Sequence, residues 1–456
     1  MKRWLNYAKP YKLYFIVGPL CMIIEVIGEV LLPRIYANIV NIGVASHNVH
    51  YIIISCVMMI ITALLMMTGG IGGAYFAAKA SVNVAADLRQ DMYRKIQQYS
   101  FANIDRFSTG SLVTRLTNDV TQIQNMINML LRMCLRAPGM LIGALIMAII
   151  MNPRLALVLA VNMPLLIAAL TAVLRIGAPR FSRVQSKIDQ LNNTIQENLI
   201  GIRVVKSFVR EDFEKERFAH SNADLKNTAL SALRVMIVSM PMLTLMMNLT
   251  TLAVVWFGGE QVIHGSMGVG DLTAFTNYVT QILMSLMMLS MVFMNSSRAI
   301  ASGRRIVEVL DEKIDLHDFE AAHPNEKILR GDIEFRNVSF RYYKNSEEQV
   351  LTDINVKINA GETIAIIGST GCGKSTLVSM IPRLYDVDAG QVLVDGIDVR
   401  DYALDTLRSS VSMVLQKNVL FSGSIAENLR WGNENASDEE LLSAARTAHI
   451  DEFILS

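Results

Sequence analysis

Cysteine, tryptophan and net charge are all scarce in this chain. Its four cysteines, Cys21, Cys56, Cys134 and Cys372, show neither metal-ligand spacing nor the density of a disulfide framework, which fits a reducing, cytosol-facing protein. Lys and Arg number 42 against 41 Asp and Glu, so no global field exists to attract nucleic acid, and no nucleic-acid partner is expected. Charged residues make up only 18% of the 456 residues. A cleavable signal peptide is not expected, because the first apolar block is too long and lacks a small-residue cleavage site.

What is abundant is hydrophobic sequence, 52% of the chain, and it is unevenly spread. It lies in long blocks before about residue 297, after which the texture becomes that of a soluble α/β protein. A helix needs roughly 20 apolar residues to cross a bilayer. Six stretches meet this, near 13–33, 51–75, 134–151, 155–176, 235–257 and 272–297. A soluble helical protein with an apolar core is a poor account of six such blocks. The sixth is interrupted by Thr276, Asn277, Thr280, Gln281 and Ser285, so it is expected to face a protein interior or a cavity rather than lipid.

Short loops join the first and second, third and fourth, and fifth and sixth blocks. The second and third, and the fourth and fifth, are separated by roughly 58 residues of charged, helix-forming sequence. Two long helical hairpins should therefore project from one side. Charge identifies that side. Lys2, Arg3, Lys9 and Lys12 precede the first block, and the second long loop holds eleven Lys and Arg between Arg175 and Arg234. The opposite side has only Arg34 and Arg154. The positive-inside rule puts both termini and both long loops in the cytoplasm of a multi-pass protein of the cell membrane.

Residues 1–12 read as a cytoplasmic segment, 13–297 as the membrane domain, 298–330 as a charged linker and 331–456 as the front of a nucleotide-binding domain. Ile333–Phe340 alternates as a half-buried strand does. Thr363-Ile364-Ala365-Ile366-Ile367 reads as a continuous apolar strand of a parallel sheet. It runs into Gly368-Ser369-Thr370-Gly371-Cys372-Gly373-Lys374-Ser375-Thr376 and then into a helix-like Leu377–Ile381. This is GxxxxGK[ST] in its strand–loop–helix setting. Glycines let backbone N–H groups curl around phosphate oxygens without Cβ clashes, and the helix start adds partial positive charge. Lys374 is placed to reach the outer phosphates of ATP, and the Ser375 hydroxyl to bind Mg2+.

Over essentially its whole length the chain resembles a bacterial ABC exporter half-transporter of the multidrug type, with fused transmembrane and nucleotide-binding domains. "GDIEFRNVSFRY" resembles the start of that family's ATP-binding domain, which implies that Tyr342 stacks on adenine, with Tyr343 as a rival. "VSMVLQKNVLFSGSIAENL" resembles its Q-loop, which implies that Gln416 touches Mg2+ and senses the γ-phosphate. "TGSLVTRLTNDV" (109–120) and "ENLIGIRVVKSFVRED" (197–212) resemble its two cytoplasmic loops, whose short coupling helices dock on ATP-binding domains, here expected near 101–108 and 208–216. "KPYKLYFIVGPLCMIIEVIGEVLLP" is reminiscent of exporters that work as heterodimers.

The resemblance implies a fold of six transmembrane helices plus a partial α/β P-loop domain. It implies ATP and Mg2+ as cofactors, and as partners a second half-transporter (a heterodimer favoured over a homodimer), membrane lipid and an amphipathic drug, lipid or peptide. ATP binding would close two nucleotide-binding domains and turn the cavity outward. Rival readings are a non-transporting ABC regulator or sensor, a soluble ABC ATPase, and an inactive fragment.

The family's LSGGQ-like signature, Walker B acidic pair and switch histidine do not occur in the 456 residues, so the chain reads as C-terminally truncated and inactive alone. Asp395, at the end of a Walker-B-like Val392-Leu393-Val394, lies too close to the phosphate loop and reads as a turn residue.

Glu25 and Glu29 share one face of the first membrane helix and are candidates for binding cationic substrates or protons, against a purely bundle-internal role. Arg132 and Arg136 read as anchors at the cytoplasmic end of the third. Met242, Met246, Met247, Met284, Met287, Met288, Met291 and Met294 form either an adaptable pocket or interhelical filler.

Overall fold

The computed structural model describes residues 2–316, 326–343, 347–415 and 419–456, with the side chains at 2, 290, 291, 293–295 and 297 outside the description. The chain divides into two compact units, Met1–Gln98 with Phe107–Glu312, and Tyr99–Arg106 with Lys313–Ser456.

The first unit is helical. Its long elements are α1 (Lys12–Asn38), α2 (Val49–Gln97), α4 (Val120–Met151), α5 (Pro153–Ile200), α7 (Glu211–Ile263) and α8 (Val269–Asp311); the short α3 (Phe101–Phe107) and α6 (Ile202–Ser207) lie between them in sequence. All six expected spans fall inside these helices, and six helices among the described residues are long and apolar enough to cross a membrane. α8 continues to Asp311, so the first part of the charged connector is helix. Caps fix the turns. Asn48 accepts the Tyr51 N–H at 3.0 Å to start α2. Asn152 accepts from Arg154 and Leu155, both at 3.1 Å, just ahead of Pro153 at the first position of α5.

Small residues allow α2 to approach α1. A Cβ on Gly69 would stand 2.8 Å from the Cys21 carbonyl oxygen, and one on Gly73 would stand 2.5 Å from the Met22 methyl. This is the small-xxx-small device for packing helices where no hydrophobic force drives them together. The last span is the most enclosed, with 44% of its apolar window buried against 11% to 28% for the others. Its polar residues mostly satisfy themselves. The Thr276 hydroxyl donates to the Thr273 carbonyl, and Ser285, fully buried, donates to that of Gln281. Two side chains cross to α1 instead: Tyr278 to the Val30 carbonyl at 2.8 Å and Gln281 Nε2 to the Glu29 carbonyl at 3.0 Å. Pro33 explains the second bond, since a proline has no N–H to give the carbonyl four residues back.

In the second unit β1 (Ile333–Phe340) pairs antiparallel with both β2 (Leu351–Ile358) and β3 (Ala389–Val394), and β4 (Ile397–Asp398) extends β3, giving the order β2-β1-β3-β4. Phe335, Val338, Phe340, Val392, Val394, Tyr402 and Leu407 form its core. The sheet is antiparallel, not the parallel sheet expected, and Thr363–Ile367 is not one of its strands. An apolar run of that kind is stable only between two paired neighbours with both faces covered. None pairs with it among the described residues, and Ile364, Ile366 and Ile367 stand 49%, 43% and 93% exposed.

Asp395 is a turn residue, as its position suggested. Asp395 and Gly396 have φ of 51° and 83°, the pair of positive values a two-residue hairpin with matched twist requires. Its carboxylate accepts four backbone N–H groups, from Leu329, Arg330, Gly331 and Asp332, at 2.6 to 3.0 Å. Burial pulls this carboxyl upward, and the four donors outweigh it, holding it below the ordinary aspartate range. The stabilisation is therefore complete above the unfolded-state value of about 4 and is lost as pH falls through the lower folded-state value. Asp395→Ala should cost about 2 kcal/mol at neutral pH, discounted for partial exposure. In detergent-phase thermal unfolding, the gap between variant and parent should shrink below about pH 4.

Candidate functional site

The phosphate loop is held by two left-handed glycines, Gly371 (φ 87°) and Gly373 (φ 91°). A Cβ on Gly373 would press on the Val350 carbonyl at 3.1 Å and on Leu351 at 3.0 Å, so glycine is needed there for space as well as conformation. The short α9 (Lys374–Ser379) starts immediately after it. The Lys374 ammonium folds back over the loop and donates to the carbonyls of Gly368 at 2.8 Å and Ser369 at 2.7 Å. Gly368 through Cys372 are exposed, as is Ser375. An exposed glycine loop closed by one ammonium has the donor chemistry that a polyphosphate needs.

Thr376 is buried, and its hydroxyl bonds the Tyr342 phenol at 2.8 Å. Tyr342 is thus brought beside α9, two residues beyond Lys374. Its ring stands edge-on to Phe340 at 5.0 Å and to Tyr385 at 5.3 Å and is 41% exposed. Of the expected nucleotide contacts, Tyr342 and Gly368–Thr376 come together, while Gln416 lies outside the described residues.

Tyr385 escaped sequence reading, because nothing local marks it. Its phenol donates to the Asp105 carboxylate on α3 at 2.7 Å, and its ring lies 6.1 Å from Phe101. Burial, with the Asp105 hydrogen bond and charge behind it, pushes this phenol well above the ordinary tyrosine range. Ser100 donates to Asp315 at 2.6 Å and Asn103 to the Lys313 carbonyl at 2.9 Å. The tip of the first long hairpin, expected as a coupling segment over 101–108, is therefore fastened within the ATP-binding unit. In the second hairpin the short α6 spans Ile202–Ser207, just ahead of the 208–216 stretch expected to touch an ATP-binding domain, and α7 begins within that stretch at Glu211.

The membrane unit adds to one reading. Arg136, at the start of the third apolar block, pairs with the first membrane helix, its terminal nitrogen standing 3.2 Å from Glu25 and 3.3 Å from Glu29. Two carboxylates on the facing helix make its guanidinium tolerable there. Met247 and Met287 line, with leucines, a cavity of only about 10 Å3, which makes them filler rather than pocket. The side chains of Met291 and Met294 lie outside the description.

Comparison with known proteins agrees with this geometry. Residues 15–286 match the family of the ABC transporter transmembrane region, and residues 351–455 match the ABC transporter family. An uncharacterised ABC transporter ATP-binding protein of Bacillus subtilis, YfiB, is 39% identical over 455 residues, covering 100% of this chain and 79% of the relative. An uncharacterised ABC transporter ATP-binding protein of Mycobacterium tuberculosis is 37% identical over 98% of this chain and 78% of its own length. An ATP-dependent lipid A-core flippase of Syntrophus aciditrophicus is 30% identical over 100% of this chain and 75% of its own length. With apolar helices for six crossings fused to a glycine-cradled phosphate loop, the chain belongs to the ABC transporters, as a multi-pass bacterial-type exporter half-transporter with its ATP-binding domain on the same polypeptide.

Proposed function

We propose that this chain is one half of a dimeric exporter that uses ATP to move an amphipathic drug, lipid or peptide outward across the cytoplasmic membrane. The observation that carries the nucleotide part is the bond between Tyr342 and Thr376, which sets a partly exposed aromatic ring beside the exposed glycine loop. In this reading Tyr342 stacks on adenine, Gly368–Gly373 cradle the phosphates, Lys374 turns from its two carbonyls to the outer phosphates, and Ser375 with Gln416 holds Mg2+. The metal and the phosphoanhydride supply the reaction's driving chemistry; the chain positions them. A second half, of different sequence by the heterodimer-like N-terminal segment, completes each site. That one relative is a lipid A-core flippase supports a lipid-like substrate class.

The second reading, a polypeptide without turnover when alone, has its own support. Thr363–Ile367, which should brace the loop, makes no sheet pairing here, so the 456 residues by themselves are proposed to bind ATP poorly and not to hydrolyse it at a useful rate.

Three outcomes test these proposals. Lys374→Ala should reduce labelling by a photoreactive ATP analogue at least tenfold, and unchanged labelling would remove Lys374 from the site. With the native cysteines changed to serine, Asp212→Cys should resist a membrane-impermeant thiol reagent on intact cells while His47→Cys reacts; the reverse pattern would invert the topology. Tyr385→Phe keeps the ring contacts and deletes the phenol, so amide exchange across Phe101–Phe107 should quicken roughly fivefold, the equivalent of about 1 kcal/mol.

A further inference from the structure

At the end of the membrane unit away from the long hairpins, the start of α5 and the end of α7 enclose a cleft of about 530 Å3. Asn152 fixes its base. Its side-chain oxygen accepts the Arg154 and Leu155 N–H groups, and its amide nitrogen donates to Gln261 Oε1 on α7 at 2.6 Å. Gly258 lets α7 close on its neighbours, since a Cβ there would lie 3.2 Å from a Leu155 methyl and 2.4 Å from one of Leu272.

The walls change character along the bundle axis. Leu155, Val158 and Phe257 fall within the apolar spans 155–176 and 235–257, whereas Arg154, Glu260 and His264 lie just outside them. The cleft therefore crosses the level where acyl chains give way to headgroups. Arg154 and Glu260 are exposed, and among the described residues neither side chain has an ion-pair partner, in the other or elsewhere. Arg34, at the same end of the bundle, does have one, in Asp271 at 2.9 Å. Helix stability explains neither charge. Arg154 is the second residue of α5 and Glu260 lies in the last turn of α7, the ends at which the helix dipole disfavours a cation and an anion respectively. His264 Nδ1 is engaged with the Glu260 carbonyl at 2.7 Å, which leaves Nε2 as a further polar group of the rim.

We propose that this cleft holds the zwitterionic headgroup of a phosphoethanolamine lipid. The phosphate meets the Arg154 guanidinium, the primary ammonium meets the Glu260 carboxylate, and the first acyl carbons lie against Leu155, Val158 and Phe257. A cation and an anion held apart in one cleft match a ligand that carries both charges on a short carbon bridge. A lipid with a phosphate and no ammonium meets the same Arg154 but leaves Glu260 uncompensated. The inference rests on the membrane-spanning helices alone and is independent of what the protein exports.

Native mass spectrometry of the full 456-residue chain in detergent tests it, with phosphatidylethanolamine and phosphatidylglycerol of the same acyl chains as probes. The first ethanolamine lipid should bind about three- to fivefold more tightly than the first glycerol lipid. Arg154→Gln should weaken both lipids to a similar degree. Glu260→Gln should weaken the ethanolamine lipid alone and abolish the preference. Glu260→Asp, which keeps the charge, should retain it and separates loss of charge from a folding defect. Glycerophosphoethanolamine, the same headgroup without acyl chains, should not displace the lipid at equal concentration. Equal binding of the two lipids by the parent chain, or a preference that survives Glu260→Gln, overturns the site. Equal loss of both lipids in Glu260→Gln removes the ammonium contact and overturns it as well. Displacement by the soluble headgroup assigns the cleft to a free ligand and overturns the lipid.

Discussion

A backbone carbonyl inside an apolar layer has no water to turn to, and the membrane unit is organised around one such group. Pro33 lies within α1 and removes the donor that Glu29 would have used. Gln281 supplies it from α8, and Tyr278, three residues earlier on the same helix, binds the next carbonyl, that of Val30. These two bonds hold α8 against α1 where neither helix gains anything by leaving lipid. They also account for the enclosure of α8 and for polar residues in a span that lipid would not tolerate.

The charge cluster depends on that arrangement. With α1 fixed against α8 and drawn close to α2 through Gly69 and Gly73, Glu25 and Glu29 face inward, and Arg136 on α4 is the group that makes their burial bearable. Removing one partner from a buried ion pair costs about 3–5 kcal/mol, whereas keeping all of them yields little net stability.

In the ATP-binding unit one carboxylate plays a comparable part. β3 turns into β4 through Asp395 and Gly396, and the Asp395 carboxylate gathers the four N–H groups, more than sixty positions earlier, that lead into β1. The aromatic group of Phe340, Tyr342 and Tyr385 then joins three roles in one patch. Phe340 belongs to the core, Tyr342 to the phosphate-loop helix through Thr376, and Tyr385 to α3 through Asp105.

Six spans, two long hairpins and a phosphate loop were legible in the residues because each is written in contiguous sequence: runs of apolar side chains set by bilayer thickness, and glycines set by phosphate geometry. The turn role of Asp395 was readable from its short spacing to the phosphate loop, too short for a Walker B strand. Contacts between residues far apart were not. The partners of Arg136 were not readable, because sequence carries no record of the carboxylates more than a hundred positions away that neutralise it. Tyr385 carried no mark, because its meaning lies in Asp105 on a helix 280 positions earlier. Thr363–Ile367 has the composition of a buried strand, yet a strand exists only when neighbours take its hydrogen bonds, and composition does not provide them. Local chemistry determined the elements and the phosphate loop, while tertiary structure alone decided which charges meet, which carbonyl finds its donor and which strand finds a partner, since each of these is settled between side chains and backbones that chain order keeps apart.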